Sequence, residues 1–157
     1  MRKTLLLRSL LVVAATCLAG TAAIAGENWV GSWKLNAAKS QLGSAAVRAQ
    51  TLKFEATPDG IKLTSDGTDA DGKPMHGGYV SKFDGKDVPW AGNPVADVAC
   101  PKKLDDNSYE NVWKKDGKAV VTAKVAVSKD GKTLTVSQSG ADAKGAAFSS
   151  VAVYDKQ

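Results

Sequence analysis

Hydrophobic and polar residues alternate along most of the chain from Trp29 onward, with a period of two. Leu52, Phe54 and Ala56 are each flanked by polar residues. Apolar residues also occupy the odd positions from 119 to 127. Because successive side chains of a β-strand point to opposite faces, this alternation predicts half-buried strands, and we count about ten of them between Trp29 and Tyr154.

Turn signals separate these segments at regular intervals. The dipeptide Asp-Gly occurs at 59–60, 71–72, 84–85, 116–117 and 130–131, and the runs DDNS (105–108) and GADAKG (140–145) add two more turns. Asp-Gly favours tight hairpins because a type I′ turn needs positive φ at both central residues, which Asp tolerates and Gly adopts freely. Turns at this spacing, without a long helical period between them, predict an antiparallel meander.

The predicted fold class is all-β: an antiparallel meander β-barrel of about 8–10 short strands, with a two-sheet β-sandwich as the alternative. A sheet of this many twisted strands tends to close or fold over, and closure removes its exposed edges. The helical candidate is a short turn after the first strand, within residues 36–48, where the Asn36 side chain can cap the first turn.

Residues 1–25 have the three parts of a secretory signal peptide. Basic residues precede an apolar run at 10–18, and Ala23-Ile24-Ala25 fits the small-x-small cleavage rule. The apolar run is shorter than the roughly 20 residues that span a bilayer. We therefore expect an exported protein, periplasmic or secreted, with no stable membrane span and with residues 26–157 as a single domain.

The two cysteines carry different expectations. Cys17 lies within the signal peptide, and its acylation is the alternative that would make the protein a membrane-anchored lipoprotein. Cys100 is the only cysteine after residue 25, so the mature chain has no internal disulfide. Alternation places Cys100 beside Ala96 and Val98 on an apolar face, which predicts an inert buried thiol.

The charge of the mature chain argues against one class of partner. Three of the 21 basic residues and none of the 16 acidic residues lie in the signal peptide, which leaves eighteen basic against sixteen acidic residues, a net charge of +2. No run of Lys and Arg exceeds two residues. A nucleic-acid partner is therefore not expected.

Patterns for catalysis and metal binding are weak. His76 is the only histidine, alternation places it on the solvent side, and no Gly-x-Ser-x-Gly elbow accompanies it. The run 66–72 is similar to a calcium loop, but Gly67 and Gly78 occupy the first and twelfth ligand positions. We therefore expect no catalytic residue, no metal and no cofactor.

The run Gly31-Ser32-Trp33 resembles the Gly-x-Trp motif on the first strand of lipocalins and related calycins. The wider runs at 31–40, 69–97, 128–136 and 151–156 are similar to a family of small secreted bacterial lipocalin-like proteins without assigned activity. The resemblance covers nearly all of the mature chain and implies a barrel that encloses a small apolar ligand. Lipocalins pack an Arg near the last strand across that Trp, whereas the only Arg after residue 25 is Arg48.

We accordingly expect a non-catalytic protein that holds an apolar or amphipathic small molecule in the barrel. Gly31 and Trp33 are the expected structural anchors of the barrel. The residues proposed to contact the ligand face inward or lie at the barrel mouth, and they are Trp29, Phe54, Met75, Tyr79, Phe83, Tyr154 and, at the mouth, Trp90.

Small residues at inward positions favour a cavity. Those predicted to face inward are Gly77, Ala119, Ala123, Ala146, Ser150 and Ala152. The ligand-binding hypothesis requires a cavity no smaller than a lipid headgroup.

Two alternatives stay open. A filled core would favour an envelope protein–protein interaction module that uses an exposed aromatic patch or an edge strand. An enzyme would need His76 inside a pocket, beside an acid or a nucleophile.

Overall fold

The computed structural model describes residues 28–45, 47–141 and 144–157. The signal peptide predicted at 1–25, including Cys17, lies outside the described residues. The described chain is built from β-strands, joined after the first strand by a 3₁₀ turn at Ala37–Lys39. The strands are β1 (Gly31–Leu35), β2 (Val47–Thr57), β3 (Gly60–Asp69), β4 (Pro74–Ser81), β5 (Val88–Pro89), β6 (Val98–Asp105), β7 (Ser108–Lys115), β8 (Lys118–Val127), β9 (Thr133–Ala141) and β10 (Ala147–Lys156).

All ten strands belong to one antiparallel sheet in the order β4-β3-β2-β1-β10-β9-β8-β7-β6-β5. The first and last strands pair with each other, with Trp33 opposite Lys156. In the 3₁₀ turn, the Asn36 side-chain oxygen accepts a hydrogen bond from the backbone N–H of Lys39 at 3.2 Å. The prediction of an all-β meander with a short capped turn after its first strand is confirmed.

The two ends of this sheet meet along a seam between β4 and the segment that contains β5 and β6. Gly78 and Ala91 exchange two backbone hydrogen bonds, at 3.0 and 3.2 Å. Further along, the backbone N–H of Lys103 donates to the carbonyl of Phe83 at 2.9 Å. The sheet therefore forms a nearly closed barrel rather than a two-sheet sandwich.

Gly92 allows the chain to approach closely at this seam. Its φ is +73°, and a Cβ at this position would lie 2.0 Å from the carbonyl oxygen of His76. A side chain at Gly92 would therefore push the two backbones apart, in addition to the strain of a left-handed conformation.

Aromatic side chains close one end of the barrel. Trp29 is fully buried, and its ring centroid lies 5.6 Å from that of Phe83 and 5.2 Å from that of Tyr109. The backbone N–H of Asn28 donates to the carbonyl of Asp106, in the β6–β7 turn, at 3.0 Å. The segment that precedes β1 is thus held across this end.

Gly31, Trp33 and Lys156 form one packing unit at the β1–β10 pair. The Trp33 indole N–H donates to the carbonyl of Trp29 at 2.7 Å, and Lys156 Nζ lies 5.1 Å from the Trp33 ring centroid. Gly31 has φ +134°, and a Cβ there would lie 3.1 Å from Lys156 Cε. Glycine therefore leaves room for the lysine that covers the tryptophan.

The five Asp-Gly dipeptides differ in backbone conformation and in their place in the fold. At Asp116-Gly117, between β7 and β8, φ is positive at both residues (49° and 75°), as a type I′ turn requires. At the other four sites only the glycine has positive φ. Asp84-Gly85 does not join a hairpin at all: it lies in the seam, where Gly85 donates its backbone N–H to the carbonyl of Pro101 at 2.9 Å.

Two of the small residues predicted to face inward are exposed instead. The register of the β7–β8 pair shifts so that Trp113 pairs with Val121 and Lys114 with Ala119. This bulge changes the phase of alternation and turns Ala119 outward. Ala146 is exposed because it precedes β10 and belongs to the turn before it.

The orientation predicted for Cys100 is also wrong. In β6 the buried residues are Ala99 and Pro101, so Cys100 lies on the outer face, half-buried. The strand begins only at Val98, and the burial of Ala96 comes from the preceding loop rather than from the same strand. Counting alternation through that loop gave Cys100 the wrong face.

We expect Gly92→Ala to destabilise the fold much more than Gly117→Ala. Both glycines have φ near +75°, but a Cβ at Gly117 would meet nothing within 4 Å. The control variant should cost about 1–2 kcal/mol for its backbone conformation alone. Gly92→Ala should cost at least about 3 kcal/mol, because the clash also disrupts the seam hydrogen bonds.

Urea denaturation of the two variants measures this difference. Equal losses of stability would show that the seam tolerates separation of the β4 and Gly92 backbones.

Candidate ligand site in the barrel lumen

A cavity of about 50 Å³ lies inside the barrel. It has room for about one or two water molecules, at roughly 30 Å³ each. It is lined by inward residues of most strands and by a short stretch before β2: Leu42, Val47, Arg48, Ala49, Leu52, Phe54, Leu63, Ser65, Tyr79, Trp90, Tyr109, Asn111, Trp113, Ala123, Val125, Val136, Gln138, Ser150, Ala152 and Tyr154.

The cavity is smaller than the sequence-based hypothesis required. A phosphate ester headgroup has several times more non-hydrogen atoms than the one or two water molecules that this space admits. A lipid-sized ligand therefore does not fit the lumen.

Small side chains on adjacent strands create the space. The register places Asn111 of β7 opposite Ala123 of β8, Ala123 opposite Gln138 of β9, and Gln138 opposite Ser150 of β10. Ala123 and Ser150 are buried as predicted, and with Ala152 they leave the volume that larger residues would fill. The row Asn111–Ala123–Gln138–Ser150 also gives this wall hydrogen-bonding groups.

Three aromatic rings form another part of the lining. The centroid of Trp90 lies 5.0 Å from that of Tyr79 and 4.8 Å from that of Trp113, and both pairs meet edge to face at 77°. Trp90 follows β5 and is held by its backbone N–H, which donates to the carbonyl of Asp97 at 2.8 Å. Edge-to-face contacts of this kind add to the stabilisation from burial alone.

Several polar groups of the lining bind one another or the backbone. Asn111 donates from Nδ2 to the hydroxyl of Tyr79 at 3.2 Å, and its Oδ1 accepts from the backbone N–H of Cys100 at 3.0 Å. The Tyr154 hydroxyl donates to the carbonyl of Ala49 at 2.9 Å. By contrast, the buried indole N–H groups of Trp90 and Trp113 have no acceptor.

The electrostatic environment of the lumen is nearly neutral. Arg48 is the one charged residue of the lining. It is exposed, and its Nη2 donates to the carbonyl of Gly43 at 2.9 Å. Burial raises the pKa of Tyr79, Tyr109 and Tyr154 well above the ordinary value. The tyrosine hydroxyls therefore stay neutral at physiological pH.

The residues proposed as ligand contacts are all buried, but they do not form one group. Four of them line the cavity: Phe54, Tyr79, Trp90 and Tyr154. Trp29 and Phe83 belong to the aromatic cluster at the closed end, and Met75 is buried outside the lining. Trp90 was expected at the barrel mouth but lies within the barrel wall, since only 8% of it is exposed.

Sequence reasoning overlooked the contribution of β7. Tyr109, Asn111 and Trp113 all line the cavity. Their period of two was visible in the run SYENVW (108–113). The polar Asn111 in the middle of that face concealed the pattern, because an apolar face was expected there.

His76 lies on the outside of the barrel, as alternation predicted. Its side chain is 75% exposed, and Nδ1 is hydrogen-bonded to Asp66, which faces outward on the adjacent strand. Across residues 28–45, 47–141 and 144–157 there is no group of three His, Cys, Asp or Glu side chains that could hold a metal ion.

The Cys100 thiol is a weak nucleophile in this environment. Its Sγ donates to the carbonyl of Gly85 at 3.1 Å. Burial and the nearby Asp87 carboxylate raise the pKa of the thiol. Since the thiolate is the reactive species, the raised pKa lowers reactivity.

We expect the three tyrosines to resist alkaline titration until the barrel unfolds. Their pKa values are raised in the folded state, so the unfolded chain loses these protons first as the pH rises past about 10. Their stabilising effect is complete below pH 10 and is lost above it, by up to about 4 kcal/mol per pH unit for three groups.

Spectrophotometric titration of tyrosinate checks this, with the urea-unfolded protein as the control that titrates near pH 10. Tyrosinate absorbance near pH 10 in the folded protein would contradict the burial of these hydroxyls.

Comparison with known proteins adds no relative to this description. No protein-family model matches the chain, and no curated protein matches it. Nowhere in the described ranges does a helix have the length and apolar character needed to cross a membrane.

Proposed function

We propose that the protein is an exported, non-catalytic binding protein that holds a small amphipathic molecule in its barrel lumen. The observation that carries the proposal is the cavity of about 50 Å³, which combines aromatic surfaces with hydrogen-bonding groups. Ligand sites typically combine an apolar lining with a few polar groups that set orientation.

Export is supported by the sequence at 1–25, with its basic start, apolar run and small-x-small end. In the lipoprotein alternative, acylated Cys17 would hold the same barrel at a membrane surface.

The proposal of a lipocalin-like family gains support from Lys156. This lysine lies on the last strand with Nζ 5.1 Å from the Trp33 ring centroid. A cation from the last strand thus covers the tryptophan of the Gly-x-Trp motif, where the resemblance leads us to expect an arginine. Lys and Arg can both make a cation–π contact of this type.

The cavity limits both the size and the affinity of the ligand. A molecule of about two non-hydrogen atoms occupies the space of one or two waters. At a ceiling of about 1.5 kcal/mol per non-hydrogen atom, such a ligand gains about 3 kcal/mol and binds no more tightly than millimolar Kd. The protein therefore suits a ligand that is abundant in its compartment.

The surface favours this function over an interaction module. All ten aromatic residues of the chain are buried. In the described part of the chain the exposed large hydrophobic residues are Val80 and Leu104, each on its own. An aromatic docking patch is thus missing from the described surface, and a bridge from Gly78 to Ala91 joins β4 to the residues after β5.

An enzyme centred on His76 is also less consistent with the geometry. The imidazole is outside the lumen, and its side-chain partner is the Asp66 carboxylate. A hydrolytic triad needs a nucleophile in contact with the same ring.

We expect Ala123→Leu to abolish binding of small molecules, while Ala119→Leu leaves it unchanged. Ala123 lines the cavity, and three added carbons would fill most of it. Ala119 is exposed on the same strand and provides the matched control.

Native mass spectrometry of the wild-type protein purified from its own envelope identifies a retained compound, and saturation-transfer NMR with methanol, which has two non-hydrogen atoms, compares the variants. Circular dichroism confirms that both variants fold. Equal binding by Ala123→Leu and wild type would place the ligand outside the lumen and refute the proposal.

A further inference from the structure

β4 is hydrogen-bonded unequally on its two sides. On one side it pairs with β3 along its whole length. On the other side, within the described chain, it has one bridge, in which Gly78 and Ala91 exchange two backbone hydrogen bonds. The seam is next bonded beyond the end of β4, where Lys103 donates to the carbonyl of Phe83. Parts of a fold with few backbone hydrogen bonds open at a lower free energy than the rest, so the seam is the expected point of opening.

Pro89 stops this bridge from growing into a strand pair. The N–H of Trp90 points toward β6, where it donates to Asp97, and that of Ala91 points toward β4. Since these groups alternate in direction along a strand, the nitrogen of Pro89 also faces β4, and the antiparallel register places Val80 opposite it. A residue other than proline would supply the next donor here, to the carbonyl of Val80, whereas proline has no N–H.

The two sides of the seam also meet inside the barrel. The Tyr79 ring of β4 and the Trp90 ring, which follows β5, contact each other edge to face with centroids 5.0 Å apart. Both residues line the lumen. They are the chain neighbours of Gly78 and Ala91, so separation of the two backbones at the bridge would part the rings and give solvent access to the cavity.

The far end of the seam is held more firmly. Phe83 has φ +56°, a left-handed conformation that is rare for a bulky residue. Its ring packs against Trp29 and Tyr109, with centroids 5.6 and 4.7 Å away. Backbone strain of this kind persists only where the surrounding contacts maintain it. Opening therefore starts at the Gly78–Ala91 bridge rather than at Phe83.

We propose that the seam is a gate in the barrel wall, where β4 and the β5 segment separate and open the lumen to solvent while the other strand pairs stay intact. Separation breaks the Gly78–Ala91 bridge and parts the rings of Tyr79 and Trp90. Pro89 keeps the gate weak by interrupting its ladder. This inference goes beyond the proposed function, since it concerns the barrel wall and does not depend on any ligand.

The test is hydrogen exchange of the ¹⁵N-labelled protein without ligand, followed by ¹H–¹⁵N correlation NMR. We expect the backbone N–H groups of Gly78 and Ala91 and the buried indole N–H of Trp90 to share one opening free energy. It should lie well below that of the central β8 and β9 amides, which report global unfolding. The Trp33 indole N–H, bound to the carbonyl of Trp29 at the closed end, is the internal control and should stay protected.

Pro89→Ala should slow exchange through the gate about fivefold, the factor that one backbone hydrogen bond of ordinary net strength supplies. The new N–H faces the carbonyl of Val80, and the side chain at position 89 is exposed, so the substitution leaves the core unchanged. Pro58→Ala, in the exposed β2–β3 turn, is the matched control. It removes the same restriction on the unfolded chain but lies outside the seam, so exchange at Gly78 and Ala91 should not change.

Three results would overturn the gate. Gly78 and Ala91 amides as protected as those of β8 and β9 would mean that the seam opens only by global unfolding. Unchanged exchange at both amides in Pro89→Ala would mean that the missing N–H does not limit closure. Slower exchange of the two amides without slower exchange of the Trp90 indole would mean that the opening does not reach the lumen.

The wild-type exchange decides by itself if Pro89→Ala does not fold. Because no ligand is present, each of these results leaves the proposed function untouched. Equally, a failure of Ala123→Leu to change ligand binding leaves the gate untouched.

Discussion

Pairing of the first strand with the last is the constraint on which the barrel depends. β1 hydrogen-bonds to β2 on one side and to β10 on the other. This contact joins residues more than a hundred positions apart, yet the entropy of loop closure rises only slowly with loop length. Without it, β1 and β10 would both be exposed edges, and the meander would remain an open sheet.

The same pairing determines where the tryptophans lie. The segment before β1 crosses one end of the barrel and buries Trp29 against Phe83 and Tyr109. β10 brings Lys156 over Trp33 from the other direction. Because Cys100 is the only cysteine after residue 25, this aromatic cluster stabilises the end of the barrel without an internal disulfide.

The interior beyond the aromatic cluster contributes less to stability than a filled core would. A void of 50 Å³ costs about 1 kcal/mol, at roughly 24 cal/mol per Å³. The unpaired indole donors of Trp90 and Trp113 each cost about 1–3 kcal/mol more. A local loss of stability of this kind is typical of functional sites in proteins. The small residues Ala123 and Ser150 line the void together with Trp90 and Trp113.

The sequence by itself determined the fold class, the number of strands, the capped turn at Asn36 and the outward position of His76. These features depend on alternation and on turn residues, which are local properties of the chain. The inward orientation of Phe54, Tyr79 and Tyr154 followed from the same alternation.

Tertiary structure alone decided the rest. The bulge between Trp113 and Lys114 turned Ala119 outward, and the loop before β6 reversed the face of Cys100, because each interrupts the period of two. The size of the lumen, and the meeting of Trp90 from the seam with Trp113 from β7, depend on strand register and on barrel closure. Those are contacts between distant parts of the chain, which a pattern of neighbouring residues does not specify.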